Sequence, residues 1–264
     1  MKLLIFVALV LIVVACGTKS NPEITIEDLR ANMEYLASDS LKGRKPGKPG
    51  GLLAAQFIRN KFENAGLELM FDNGFQKFGL LTSAELGEGN TLNINNKSFE
   101  AEKDFLPYAF SANTEVEAQV VFAGFGLQVD IDTIKWDDFE EVDVAGKWIL
   151  ALQGDPDLEN AQSPFVEFSS ERAKALIASD NNAAGLILVA GTKFNEKDEL
   201  SSLFFDKNSR RYSFPIMQVT REVANEILAN SGETVESLEA KILENNKPIS
   251  LQVETKVAVN INLV

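Results

Sequence analysis

The chain contains no histidine among its 264 residues. That absence excludes a Ser-His-Asp triad, a Cys-His pair, an H-E-x-x-H zinc helix and any imidazole-ligated metal centre built from this polypeptide alone. Cysteine occurs once, at Cys16, so no disulfide can close within the chain. Basic residues are outnumbered, 25 against 39 acidic ones, for a net charge of −14. That balance argues against nucleic acid as a partner, since phosphate contacts need a basic face. The acid is spread along the chain and reads as a solvated surface. There is no G-x-x-x-x-G-K-[ST] phosphate loop, no G-x-S-x-G elbow and no internal repeat. What is present is an apolar fraction of 45% against 24% charged, enough for a globular protein with a core. Phenylalanine is abundant at 18 copies, and Phe62, Phe78, Phe105, Phe122 and Phe214 lie in runs that read as core.

The first 15 residues carry one lysine and then an apolar run from Leu3 to Ala15, the pattern of a secretory signal and short for a membrane span. Val13-Val14-Ala15-Cys16 resembles a bacterial lipobox, with Val14 departing from the commonest form. Cys16 is therefore the expected lipid attachment site, the alternative being a buried cysteine at the end of a signal or anchor helix. On this reading residues 1–15 are a lipoprotein signal peptide and 16–23 a tether. The protein sits in the cell envelope, at the outer membrane or facing the periplasm, held to the membrane through lipid on Cys16.

Thr25 reads as an N-cap, with Glu27 and Asp28 in the first turn and Ile26, Leu29, Met33 and Leu36 at helical spacing up to Ser38. A basic, glycine-rich loop runs from Leu41 to Gly51. A second helix is predicted over about Gly51–Ala65, with Leu53, Phe57, Ile58 and Phe62 as its apolar stripe and Gly66 as its stop. Strands are predicted at Phe75–Leu81, Thr91–Ile94, Val116–Phe125, Trp148–Leu152, Gly185–Val189, Phe214–Val219 and Ile249–Leu263. Helices are predicted at Glu171–Ala178, Arg221–Asn230 and Val235–Glu244, the last two capped by Thr220 and Thr234. The fold class is α/β (α+β), a helical pair followed by a sheet domain with flanking helices. The boundaries are 24–74 for a helical segment and 75–264 for the sheet domain.

Tyr35-Leu36-Ala37-Ser38-Asp39-Ser40-Leu41-Lys42-Gly43-Arg44, followed by Gly47 and Gly50, resembles the N-terminal segment of bacterial secreted zinc aminopeptidases. These belong to the superfamily of glutamate carboxypeptidase II and the transferrin receptor. Their run is leucine-x-glycine-arginine and then glycine-x-x-glycine before a helix ending in glycine-leucine, here Gly66-Leu67. A second resemblance is to a protease-associated (PA) domain. It rests on Val120 to Gly126, on Trp136-Asp137-Asp138-Phe139, on Val142 to Leu150, and on Arg172-Ala173-Lys174-Ala175 through Gly185 to Val189. Phe214 to Val219 and Arg221-Glu222-Val223-Ala224 complete it.

The resemblance implies a pair of zinc ions held by His, Asp and Glu in a catalytic domain that follows the PA domain. The 264 residues reach about where that domain begins, so no zinc ligand is carried over, no catalytic residue is assigned, and no cofactor is expected in this chain. Its expected partners are the missing peptidase domain and peptide substrates, with the PA domain limiting which peptides reach the cleft.

Arg44 is a candidate substrate or interface residue, although the favoured reading is that Gly43, Gly47, Gly50 and Gly51 simply let the chain turn between two helices. Gly124-Phe125-Gly126 reads as a strand end with a tight turn, since a dinucleotide fingerprint needs a third glycine and an opening helix. Asp130, Asp132, Asp137 and Asp138 invite a calcium reading, but Lys135 and Trp136 interrupt them and a solvated acidic loop is favoured. Glu140-Glu141 and Asp155 with Asp157 are close only in sequence, which does not make a glycosidase pair. The leading expectation is a non-catalytic accessory part of a lipid-anchored zinc aminopeptidase. The alternative is a stand-alone PA-domain lipoprotein that binds peptides or a protein, and a small-molecule binding lipoprotein is a weaker third.

Overall fold

The structure, a computed structural model, describes residues 24–79, 83–131, 134–160, 162–204 and 211–264. The chain divides into two compact units, 1–80 and 81–264.

In the first unit, α1 (Ile26–Ala37) begins where Thr25 Oγ1 accepts the Asp28 N–H at 3.1 Å. Glu27 and Asp28 lie in its first turn, where the helix dipole favours acid. The helix stops at Ser38, and a 3-10 stretch, Asp39–Arg44, follows with left-handed backbone at Lys42 and Gly43. The second helix, α2 (Pro49–Asn64), opens on a proline, whose missing N–H is no loss in a first turn. Gly50 must be glycine, because a Cβ there would overlap the carbonyl of Leu41. Tyr35 and Phe57 bring their rings to 4.4 Å and tie the two helices together.

Few apolar side chains of this unit are buried. Leu41 and Ala54 are, while Ile26, Leu29, Met33, Leu52, Leu53, Ile58 and Phe62 are exposed. Phe62 and Phe78, expected in the core, are 51% and 78% exposed. The strand expected from Phe75 does not form over 75–79, where only a bridge between Asp72 and Phe75 appears. Left-handed backbone at Phe71, Asn73 and Gly74 folds the chain back before a ladder can start. The end of that expected strand, Leu81, lies outside the described residues.

The second unit is built on an eight-stranded sheet. Its elements are β1 (Thr91–Ile94), β2 (Lys97–Phe99), β3 (Phe105–Pro107), β4 (Thr114–Ala123), β5 (Gln128–Ile131), β6 (Ile134–Asp137) and β7 (Trp148–Leu152). They continue as α3 (Glu171–Asp180), β8 (Gly185–Val189), β9 (Ile216–Val219), α4 (Arg221–Leu228), α5 (Val235–Asn245) and β10 (Ser250–Ile261). The sheet order is β2-β1-β10-β4-β7-β8-β9-β3, with β5 and β6 as a separate hairpin. Strands β4, β7, β8 and β9 are parallel, and their immediate neighbours β10 and β3 run antiparallel to them. This mixed architecture is the α/β (α+β) class expected.

The parallel strands WILAL, GLILV and IMQV are buried at every position, because both sheet faces are covered. On one face Phe122, Trp148, Leu150, Ile187 and Met217 meet Val223 and Ile227 of α4 and Leu238 and Ile242 of α5. On the other face Val121, Ile149, Ala151, Leu186, Leu188 and Ile216 meet Ala175 and Ala178 of α3. Trp148 donates from Nε1 to the Val257 carbonyl at 3.0 Å. The first half of β4 alternates between exposed and half-buried positions, and its last four residues are wholly buried where the neighbouring layers close over it.

The helix caps expected at Thr220 and Thr234 are present, each hydroxyl accepting an N–H three residues on. The β1–β2 hairpin turns on Asn95 and Asn96 with φ of 51° and 64°, the left-handed pair that a two-residue hairpin requires. At the sheet's far edge β3 ends in Pro107, which has no N–H to offer a further strand.

Candidate functional site

The carboxyl ends of β4, β7, β8 and β9 lie along one edge of the parallel sheet, the usual place for a binding crevice in such folds. The loops after β4, β7 and β8 are each held by a buried polar side chain. After β4, the turn Gly124-Phe125-Gly126 is fixed by Asp138, whose Oδ2 accepts the N–H of Phe125 at 3.1 Å and of Leu127 at 2.9 Å. Gly124 has a φ of +44°, and a Cβ on it would run into the Asp138 carboxylate. After β7, Lys174 reaches up from α3 and donates to the carbonyls of Leu152 at 2.7 Å and Gly154 at 2.6 Å. After β8, Glu239 of α5 accepts from the N–H of Thr192 at 2.8 Å and of Lys193 at 3.2 Å, and from the Thr192 hydroxyl at 2.6 Å. On β9, Gln218 clamps Ser201 at both ends, donating to its carbonyl at 2.7 Å and accepting its N–H at 2.9 Å.

A crevice of about 300 Å³ opens among these loops, lined chiefly by Tyr108, Phe110, Arg172, Leu203, Phe204 and Gln218. Tyr108 Oη accepts from Gln153 Nε2 at 2.9 Å, which couples the crevice wall to the loop that Lys174 holds. The Tyr108 and Phe110 rings stack at 5.2 Å, and the Arg172 guanidinium lies 4.3 Å from the centre of the Phe110 ring. Ser170 caps α3 at the crevice rim by accepting the Ala173 N–H at 3.2 Å.

Burial governs the charges beneath. It raises the Asp138 carboxyl to about 7, against the pull of the two backbone N–H groups and the nearby Lys174. Burial likewise lowers the Lys174 ammonium to about 7, opposed by the charges of Asp138, Glu171 and Asp155. The Tyr108 phenol is pushed well above its ordinary value by burial and by the charge of Glu171, so it stays protonated. Ring faces, a guanidinium and a neutral phenol make a lining suited to holding a ligand.

Of the residues expected to matter from sequence, Cys16 lies outside the described residues, as does Asp132. Arg44 is in the first unit, exposed, with a φ of 55°, and Gly43 and Gly47 both have a φ of 73°, the turn geometry their glycines allow. Gly124-Phe125-Gly126 is the tight turn expected. Asp138 departs from expectation: it is not part of a solvated acidic loop but fully buried, because the turn after β4 needs an acceptor for its N–H groups. Asp155 is buried too, accepting the Asp157 N–H at 2.8 Å and the Ser163 hydroxyl at 3.0 Å. Lys174, Glu239, Tyr108 and Gln153 were not foreseen as site residues. The signal for the first two is a charge set among buried neighbours, Lys174 beside Ala175 and Glu239 beside Leu238.

The donors present do not fit the zinc pair that the sequence resemblance implies. The chain has no histidine, and among the described residues no three His, Cys, Asp or Glu side chains converge. No helix among them is long and apolar enough to cross a membrane.

No protein-family model matches the chain, and no curated protein does. Solved structures do. An aminopeptidase from Aneurinibacillus sp. strain AM-1 is 16% identical with a TM-score of 0.44, over 90% of this chain and 44% of that one. A zinc aminopeptidase from Bacillus subtilis is 16% identical with a TM-score of 0.40, over 93% of this chain and 45% of that one. A psychrophilic subtilisin-like protease from an Antarctic Pseudoalteromonas, strain AS-11, is 13% identical with a TM-score of 0.33, over 69% and 34%. The chain thus spans less than half the length of these structures.

Proposed function

We propose that this chain is the N-terminal helical segment and PA-type domain of a lipid-anchored zinc aminopeptidase. Its role is to shape which peptides reach a catalytic domain not contained in these 264 residues. The observation that carries the reading is the order of elements. The segments that resemble a PA domain become, in sequence, β4, the Asp138-anchored turn, β7, α3, β8, β9 and α4 of one sheet unit. The crevice beside them offers aromatic faces and polar groups to a passing peptide. The exposed pair Ile58 and Phe62, one turn apart on α2, supports the same reading, since neighbouring apolar side chains left in water call for a covering domain. Zinc belongs, on this proposal, to the catalytic domain alone, and the membrane attachment to Cys16.

The test has two parts. The purified chain supplied with zinc should leave an aminoacyl p-nitroanilide intact, and hydrolysis that follows the protein through gel filtration would overturn the reading. The DNA beyond the Val264 codon should continue in frame into zinc-ligating histidine and acidic motifs. An immediate stop with no such segment downstream would instead favour the stand-alone lipoprotein. That second reading draws its support from the core of the second unit, which has its own sheet and, among the described residues, three helices.

A further inference from the structure

The first unit concentrates positive charge in an otherwise acidic chain. Lys42, Arg44, Lys45 and Lys48 fall within seven residues, and all are exposed. Among the described residues none of these four forms an ion pair with a carboxylate, whereas Lys77 nearby pairs with Asp72 at 2.9 Å. Lys48 and Lys77 line an open hollow of about 600 Å³ together with Pro46, Pro49, Leu52 and Phe78. Leu52 and Phe78 project from it, 58% and 78% exposed. Cations surrounding protruding apolar side chains are what a protein presents to a negatively charged lipid interface. In the aminopeptidase run that this segment resembles, leucine-x-glycine-arginine and glycine-x-x-glycine, Lys42, Lys45 and Lys48 stand outside the specified residues. The resemblance therefore does not account for their charge.

We infer that the loop 42–48, with Leu52 and Phe78, docks on the anionic lipid surface of the membrane that holds the chain. The inference rests on the reading of Cys16 as a lipid attachment site. Reach permits it: residues 17–23 extend to at most about 25 Å, and the 12-residue α1 between them and the loop is about 18 Å long. A lipid chain and a basic patch then act as two signals on one segment, the combination that makes anchoring stable. Each cation near such a surface contributes about fivefold to binding, so neutralising three of them removes roughly a hundredfold, and reversing them removes more.

The experiment uses the full chain, acylated and placed on vesicles, with Phe78→Trp as a depth reporter. Mass spectrometry of Cys16 decides the anchor separately. Brominated phosphatidylglycerol should quench the added indole, and brominated phosphatidylcholine should not. Quenching should be lost in the Lys42→Glu, Lys45→Glu, Lys48→Glu variant and at high salt, with the melting curve unchanged. A Gln series at the same positions repeats the test should the Glu variant fold poorly. Equal quenching by both lipids, or quenching by neither in an acylated chain, overturns the docking while leaving the anchor standing. Shielding of the indole only when a peptidase domain is attached assigns the loop to protein packing and overturns it as well. An unacylated Cys16 removes the anchor on which the docking rests and overturns both readings together.

Discussion

The ammonium of Lys174 lies 5.7 Å from the centre of the Phe125 ring, so α3 supports the turn after β4 as well as the loop after β7. Replacing Lys174 with Met keeps the packing volume near the ring but leaves the Leu152 and Gly154 carbonyls without their donor. Unsatisfied buried acceptors cost on the order of 1–3 kcal/mol each, offset in part by removing a buried charge. Urea unfolding should show a net loss of about 2 kcal/mol, and a variant as stable as the parent would refute the strut assignment.

Acidity acts on this pair in opposite senses. Asp138 is raised from 3.8 to about 7, so its contribution to stability is full below 3.8 and is lost as pH rises through 7. Lys174 is lowered from 10.5 to about 7, so its contribution is full above 10.5 and is lost as pH falls through 7. Their joint contribution is therefore smallest near pH 7. Thermal melts from pH 5 to 9 should show Asp138→Asn removing the acid-side slope and Lys174→Met the alkaline-side slope. Difference curves that are flat in both variants would contradict the burial of these charges.

Gly124→Ala tests the turn that Asp138 holds. The added methyl meets the carboxylate, and the left-handed backbone at φ +44° adds strain of its own. Stability should drop by about 3 kcal/mol, read from denaturant midpoints, and Asp138→Asn should not restore it because the side chain keeps its shape.

Glu239→Gln probes the loop after β8. One carboxylate oxygen serves the Thr192 N–H and hydroxyl, and the other serves the Lys193 N–H. An amide must turn its NH₂ toward one of those donors. A loss of about 2 kcal/mol is expected, together with faster amide exchange at Thr192 and Lys193. Unchanged exchange at both would mean the loop is held by something else.

The sheet's centre was legible from sequence. Strands Trp148–Leu152 and Gly185–Val189 sit where they were expected, because a buried parallel strand leaves an uninterrupted apolar run. The caps at Thr25, Thr220 and Thr234 were equally readable, being local. The short strands β2, β3, β5 and β6 escaped notice because three or four residues carry too little alternation to stand out. Phe62 and Phe78 misled, since an apolar residue in a periodic run announces that a face will be covered without saying by what. The crevice was invisible for a different reason. Tyr108, Gln153, Arg172 and Gln218 meet through β3, β7, α3 and β9, and only the sheet order brings them together.

Strand β10 pairs with β1 on one side and β4 on the other, so residues 250–261 separate two parts of the chain synthesised well over a hundred residues earlier. The β1–β2 hairpin has no other neighbour in the sheet until that strand arrives. Loop-closure entropy on this scale must be met before those contacts form, which places the unit among slow-folding, high-contact-order topologies. While β10 is absent, β4 presents an unpaired edge of ten residues, the interval in which a newly made chain most needs a chaperone.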